Sequence, residues 1–143
     1  SGYAVGAVTS RKRTHLVTAS QVRAYVRKAE EFLAAAVAEI DEGRTIAATS
    51  LAIHVGINAA DALTGVRLGR RAAGQNHDEA LDLLRQAGPD GTAVAKDLAR
   101  LLPMKTKTEY EPDDVPLPAA IKAVERARRC VAVAVRVAGS QGR

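Results

Sequence analysis

The stretch from Ile46 to about Arg67 constrains the fold more than any other part of this chain. It is apolar nearly all the way round a helix, and a helix without a polar face has to be enclosed by other helices. Only a few polar residues interrupt it. Ser50, His54, Asn58 and Asp61 are spaced 4, 4 and 3 apart, so they fall on one face. Such a stripe faces a hydrogen-bonded network, an interface or a cleft. Hydrophobic residues make up 47% of the 143 residues but aromatic ones only 3%. A core of Ala, Val and Leu packs by close approach of small side chains, which suits helix against helix. The length fits one domain with a sizeable core.

The flanking segments supply the enclosing helices. Thr18-Ala-Ser-Gln21 matches a capping box. From there Val22, Val26, Ala29, Leu33, Val37 and Ile40 recur at steps of three and four, up to Gly43 as a helix stop. Leu68 to Gly74 reads as a turn with two glycines, and Asn76-His77-Asp78-Glu79 reads as a second capping box. The helix it opens stops at Gly88-Pro-Asp-Gly91. A further helix over about 92–110 is expected to kink or divide at Pro103. After the acidic connector from Glu111, a last helix runs from Pro118 to about Ala138, with Ile121, Val124, Val131 and Val135 inward. No strand pattern and no internal repeat is evident. The expectation is an all-α, up-and-down bundle of four to five helices over residues 18–138, with a loose arm at 1–17 and a disordered tail at 139–143.

The net charge of +5 favours an anionic partner such as RNA or an acidic protein. Trp is absent, which leaves little sign of a stacking platform for bases. The single cysteine, Cys130, forms no internal disulfide and supports no multi-thiolate metal site; within Cys130-Val-Ala-Val-Ala-Val135 it reads as a small buried side chain. No Walker, GxGxxG or zinc spacing is present, so neither a cofactor nor a metal is expected. No apolar run is read as approaching the ~18 residues of a membrane span. Arg11-Lys-Arg13 follows the mildly apolar start rather than preceding it, unlike a signal peptide. A soluble, cytoplasmic protein with no membrane partner is the expectation.

The residues that suggest chemistry are Arg71-Ala-Ala-Gly-Gln-Asn-His77. They set a permanent cation and an imidazole close together at a helix start. In-line cleavage of a phosphodiester by a ribose 2′-OH needs a base for the hydroxyl and a cation for the charge on the phosphorane. His77 and Arg71 are the candidates, and the helix N-terminus beside them is a natural phosphate seat. Asp78 and Glu79 add negative charge next to it. Asn58 and Asp61 either orient this pair or satisfy hydrogen bonds within the core. Lys105 and Lys107, ahead of Tyr110, either touch an RNA backbone or form a solvated basic face. His15, in the arm, has no partner spacing, and His54 reads as a satisfied buried histidine.

Three stretches carry a family resemblance over roughly residues 20–138: Ser50-Leu-Ala-Ile-His-Val-Gly-Ile-Asn-Ala-Ala-Asp-Ala-Leu63, Leu68-Gly-Arg-Arg-Ala-Ala-Gly-Gln-Asn-His-Asp-Glu-Ala80 and Lys105-Thr-Lys-Thr-Glu-Tyr110. They resemble the HEPN family (higher eukaryotes and prokaryotes nucleotide-binding domain), whose hallmark is an Arg separated from a His by four to six residues. Arg71 fits with five between and Arg70 with six. The resemblance implies a helical bundle that homodimerises so that two such motifs meet. It also implies a metal-independent endoribonuclease, often the toxin beside a cognate antitoxin protein, with Arg71 and His77 catalytic and Arg70, Asn76, Asp61 and Asn58 supporting. In such a dimer the second copy of His77 would be the general acid for the leaving 5′-oxygen. The alternative that the family offers is a non-catalytic module binding RNA, nucleotide or a protein partner. Ala72 follows Arg71 where active members often carry a polar residue. Glu79 stands where one toxin subgroup has a modified tyrosine.

Overall fold

Thr18 opens the first helix with the expected reciprocal cap: its Oγ1 accepts from the Gln21 N–H at 3.1 Å while Gln21 Oε1 accepts from the Thr18 N–H at 2.9 Å. In the computed structural model, which describes residues 13–74 and 76–140 apart from the side chains of Tyr110 and Ser140, this helix is α1 (Ala19–Asp41). It ends at Gly43, whose φ of 75° lets the Arg44 N–H reach the Glu39 carbonyl at 2.9 Å and closes the last turn. The apolar segment follows as α2 (Thr45–Leu68). It packs between α1 and α6 (Leu117–Ser140), with Ala48, Ala52, Val55, Ala59, Ala62 and Leu63 fully buried. By length and apolar content α2 equals a membrane span, which the expectation from the sequence did not allow; 61% of that window is buried inside the bundle. The all-α bundle follows directly from this burial.

Between α2 and α6 lie α3 (His77–Gln86), α4 (Gly88–Leu101) and α5 (Pro103–Tyr110). Only Leu102 separates α4 from α5, so the pair is one helix broken at Pro103 and the described residues hold five helices in that sense. The Gly88-Pro-Asp-Gly91 segment is not the expected loop. It forms the first turn of α4, because Pro89 is pre-set for a helix start and Gly88, at φ 84°, makes the corner after α3. Asp90 in that turn joins three helices, accepting from Arg67 of α2 at 2.9 Å and Arg136 of α6 at 2.8 Å.

Two further readings are corrected. Ile121 is 39% exposed and Val135 only partly buried. Val124 and Val131 are buried as expected, and the inward stripe of α6 also holds Ala120, Ala123, Ala127, Cys130, Ala134 and Val137, since the alanine-rich surface of α2 admits close approach by small side chains. Cys130 is buried as expected, and burial pushes its thiol up to about 12.

The loose arm does not hold for residues 14–16. They form β1 (Thr14–Leu16), paired antiparallel with β2 (Arg70–Ala72) in the turn after α2. The Gly69 C′ residue, at φ 70°, turns the chain so that its carbonyl accepts from the Val17 N–H at 2.9 Å. Residues 1–12 and 141–143 of the expected arm and tail lie outside the described residues.

Candidate functional site

The ribbon and the start of α3 wall a cleft of about 240 Å³. Ile57, Ala60 and Asp61 of α2 form its floor, Leu98 and Leu102 its apolar side, and Lys105 its rim. Arg71 to Gly74 descend along one wall, and Asn76 and His77 stand at the end of it. Five of the residues singled out by sequence therefore converge: Arg71, His77, Asn76, Asp61 and Lys105.

The local folding explains the convergence. Asn76 caps α3, its Oδ1 accepting from the Glu79 N–H at 3.1 Å, which fixes His77 as the first helical residue. Its exposed side chain borders the cleft beside the open N–H groups of the helix start. The second half of the expected capping box is replaced. The Glu79 carboxylate accepts from the Arg13 backbone N–H at 3.4 Å, because β1 brings that donor to the helix start. Alternation along β2 separates the two candidate arginines. Arg71 lines the cleft, whereas Arg70 is exposed and does not.

Arg71 takes part in no ion pair among the described residues. The arginines paired with carboxylates among the described residues are Arg44, Arg67, Arg85, Arg129 and Arg136. The Arg71 guanidinium makes only a hydrogen bond to the Ala72 carbonyl, at 3.2 Å. Its neighbour across the cleft is Asp61, whose carboxyl is pushed up to about 7 by burial, against the opposing pull of Arg71 and Lys28. A buried carboxyl raised in this way and lining a cleft is a candidate functional group.

That shift also makes a stability prediction. The folded protein holds the Asp61 proton more tightly than the unfolded chain does, so stability falls as pH rises from about 4 to about 7 and is level above. Asp61→Asn is expected to raise stability at pH 8 by on the order of 4 kcal/mol and to leave it nearly unchanged at pH 4. Urea melts of both proteins at the two pH values check this, and an equal effect at both would contradict it.

The other candidates are placed elsewhere. Asn58 is buried and its Nδ2 donates to the His54 carbonyl of its own helix at 2.8 Å, so it does not reach the cleft. Lys107 is half-buried and off the cleft, and the Tyr110 side chain lies outside the described residues. His54 is exposed rather than buried, its ring 5.9 Å from that of Phe32. Sequence reasoning missed the ribbon, which sets His15 opposite Arg71 and the Arg13 carbonyl against the Ala73 N–H; three residues of strand are too few for a periodic signal. Among the described residues no three His, Cys, Asp or Glu side chains group as metal ligands. No protein-family model matches the chain, and no curated protein matches it either.

Proposed function

We propose that the Arg71–His77 cleft cleaves RNA without a metal ion, by attack of a ribose 2′-OH on the adjacent phosphate. The observation that carries this reading is an arginine in no ion pair among the described residues, set in one cleft with His77 at a helix start and with the Asp61 carboxyl raised to about 7. The scissile phosphate sits against the α3 N-terminus, where the backbone N–H groups and the Arg71 guanidinium neutralise its oxygens. His77 takes the 2′-hydroxyl proton as the oxygen attacks phosphorus. Arg71 stabilises the added charge of the phosphorane. The P–O5′ bond then breaks, and the leaving oxygen takes a proton from Asp61. A symmetric homodimer, as the HEPN resemblance implies, would bring a second His77 able to perform the same step. The products are a 2′,3′-cyclic phosphate and a 5′-hydroxyl. Lys105 at the rim contacts the strand backbone, and an antitoxin protein covering the cleft would silence it.

The test is labelled RNA incubated with the purified protein in EDTA. Cleavage of RNA with the matching DNA left intact is expected. Intact RNA overturns the enzyme reading. Asp78 and Glu79 in the first turn of α3 lower the positive potential at the seat, which favours the second reading, a module that binds RNA, nucleotide or a protein without cutting. Binding of intact RNA in the same samples would select it.

A further inference from the structure

The ribbon brings Arg13 and His15 beside the strand that walls the cleft. Its register pairs His15 with Arg71, and the Arg13 carbonyl accepts from the Ala73 N–H at 3.1 Å. Residues directly opposite in an antiparallel pair share a face, as do residues two apart on one strand. Arg13, His15 and Arg71 therefore lie on one face, and Leu16 and Arg70 on the other. Arg71, Ala72 and Ala73 all line the cleft, so this end of the ribbon adjoins it, the first face through Arg71 and Ala73. The Arg13 guanidinium agrees with that placement: a Cβ added to Gly74, itself part of the cleft wall, would stand 3.1 Å from Arg13 Nη2. Glu79 holds the Arg13 backbone to the helix that carries His77. Arg13 and His15 are exposed, and neither takes part in an ion pair among the described residues.

We infer that this ribbon face is a second anion subsite, in which Arg13 and His15 hold the phosphate next to the scissile one on an RNA strand. The inference rests on the RNA reading of the cleft. Positions 13 and 15 are about 6.7 Å apart along the strand, close enough for both side chains to reach one phosphate. A strand seated at Arg71 crosses to His15 on the paired strand and turns along β1 towards Arg13. The role is positioning: holding the neighbouring phosphate fixes which ribose 2′-OH lies before His77.

The test uses fluorescence anisotropy with a labelled oligoribonucleotide and protein carrying His77→Ala, so that binding is read without cutting. Adding Arg13→Gln and His15→Gln is expected to weaken binding about tenfold. It should also make the dependence of log K on log salt shallower by ~0.7 for each single-strand phosphate that is no longer neutralised. Arg70→Gln, on the opposite ribbon face, is expected to change neither by a comparable amount. Circular dichroism melts of each variant establish that the ribbon substitutions leave the bundle folded, and the single Arg13→Gln variant gives the same readout if the double one does not fold. Unchanged affinity and slope in the folded ribbon variants overturn the inference while leaving cleavage by the wild type in place. An equal loss from Arg70→Gln also overturns it, as diffuse charge. A wild type that neither binds nor cuts RNA overturns the cleft reading itself.

Discussion

Replacing His77 with alanine is expected to lower RNA cleavage about 10²–10⁴-fold, the range over which a positioned general base contributes. His77 is the first residue of α3, held there by the Asn76 cap, and its side chain is exposed. The loss should therefore appear in the rate with little change in melting temperature. Arg71→Ala should act through both steps, since the guanidinium meets the phosphate before and during reaction; weaker binding and a slower rate are expected together. Arg71→Lys should recover only part of the loss, because a single ammonium does not reproduce the fork that meets two phosphate oxygens. Single-turnover cleavage assays measure all of these. An Arg70→Ala variant with a loss as large as that of Arg71→Ala would show that the wrong arginine had been placed in the cleft.

The largest loss of stability is expected at Gly91. It lies in the first turn of α4, where the chain has just turned back from α3, and a Cβ there would overlap the Leu84 carbonyl oxygen and stand 2.8 Å from the Ala87 Cβ. The Leu84 oxygen is backbone and already accepts the Ala87 N–H that closes α3. It cannot rotate away as a side-chain tip would. Gly91→Ala must therefore push α4 off α3, and overpacking against rigid neighbours costs about 3 kcal/mol or more. Gly43→Ala, by contrast, meets no atom within 4 Å and bears only the strain of its φ of 75°, on the order of 1 kcal/mol. A thermal melt showing Gly91→Ala to be no worse than Gly43→Ala would contradict the close α3–α4 packing.

Local signals carried most of the helices. The cap at Thr18 and the stop at Gly43 are short-range devices, and both appear as the sequence suggests. The Asn76 cap is equally local, and it places His77. What escaped was non-local. The pairing of His15 with Arg71 joins segments far apart in the chain, and neither strand is long enough to show alternation by itself. Glu79 left its expected cap partner for the same reason, since the Arg13 N–H arrives with the ribbon. Ile121 was misplaced because periodicity ranks residues by hydrophobicity, whereas the tight α2–α6 packing selects by size and takes alanine. The polar stripe of α2 divided for a geometric reason: its face runs from the exposed His54, past the buried Asn58, to the cleft at Asp61. Of its residues only Asp61 joins the candidate site.

The most direct measurement is the chemistry of the ends left when a defined RNA is cut in EDTA. Attack by the 2′-OH through Arg71 and His77 predicts a 2′,3′-cyclic phosphate on one product and a 5′-hydroxyl on the other. It also predicts that a single 2′-deoxynucleotide at the cut position blocks cleavage there, and that the His77→Ala protein yields almost no product. A 3′-hydroxyl with a 5′-phosphate, cleavage at the 2′-deoxy position, or undiminished cutting by the His77→Ala protein would contradict the assignment of the cleft.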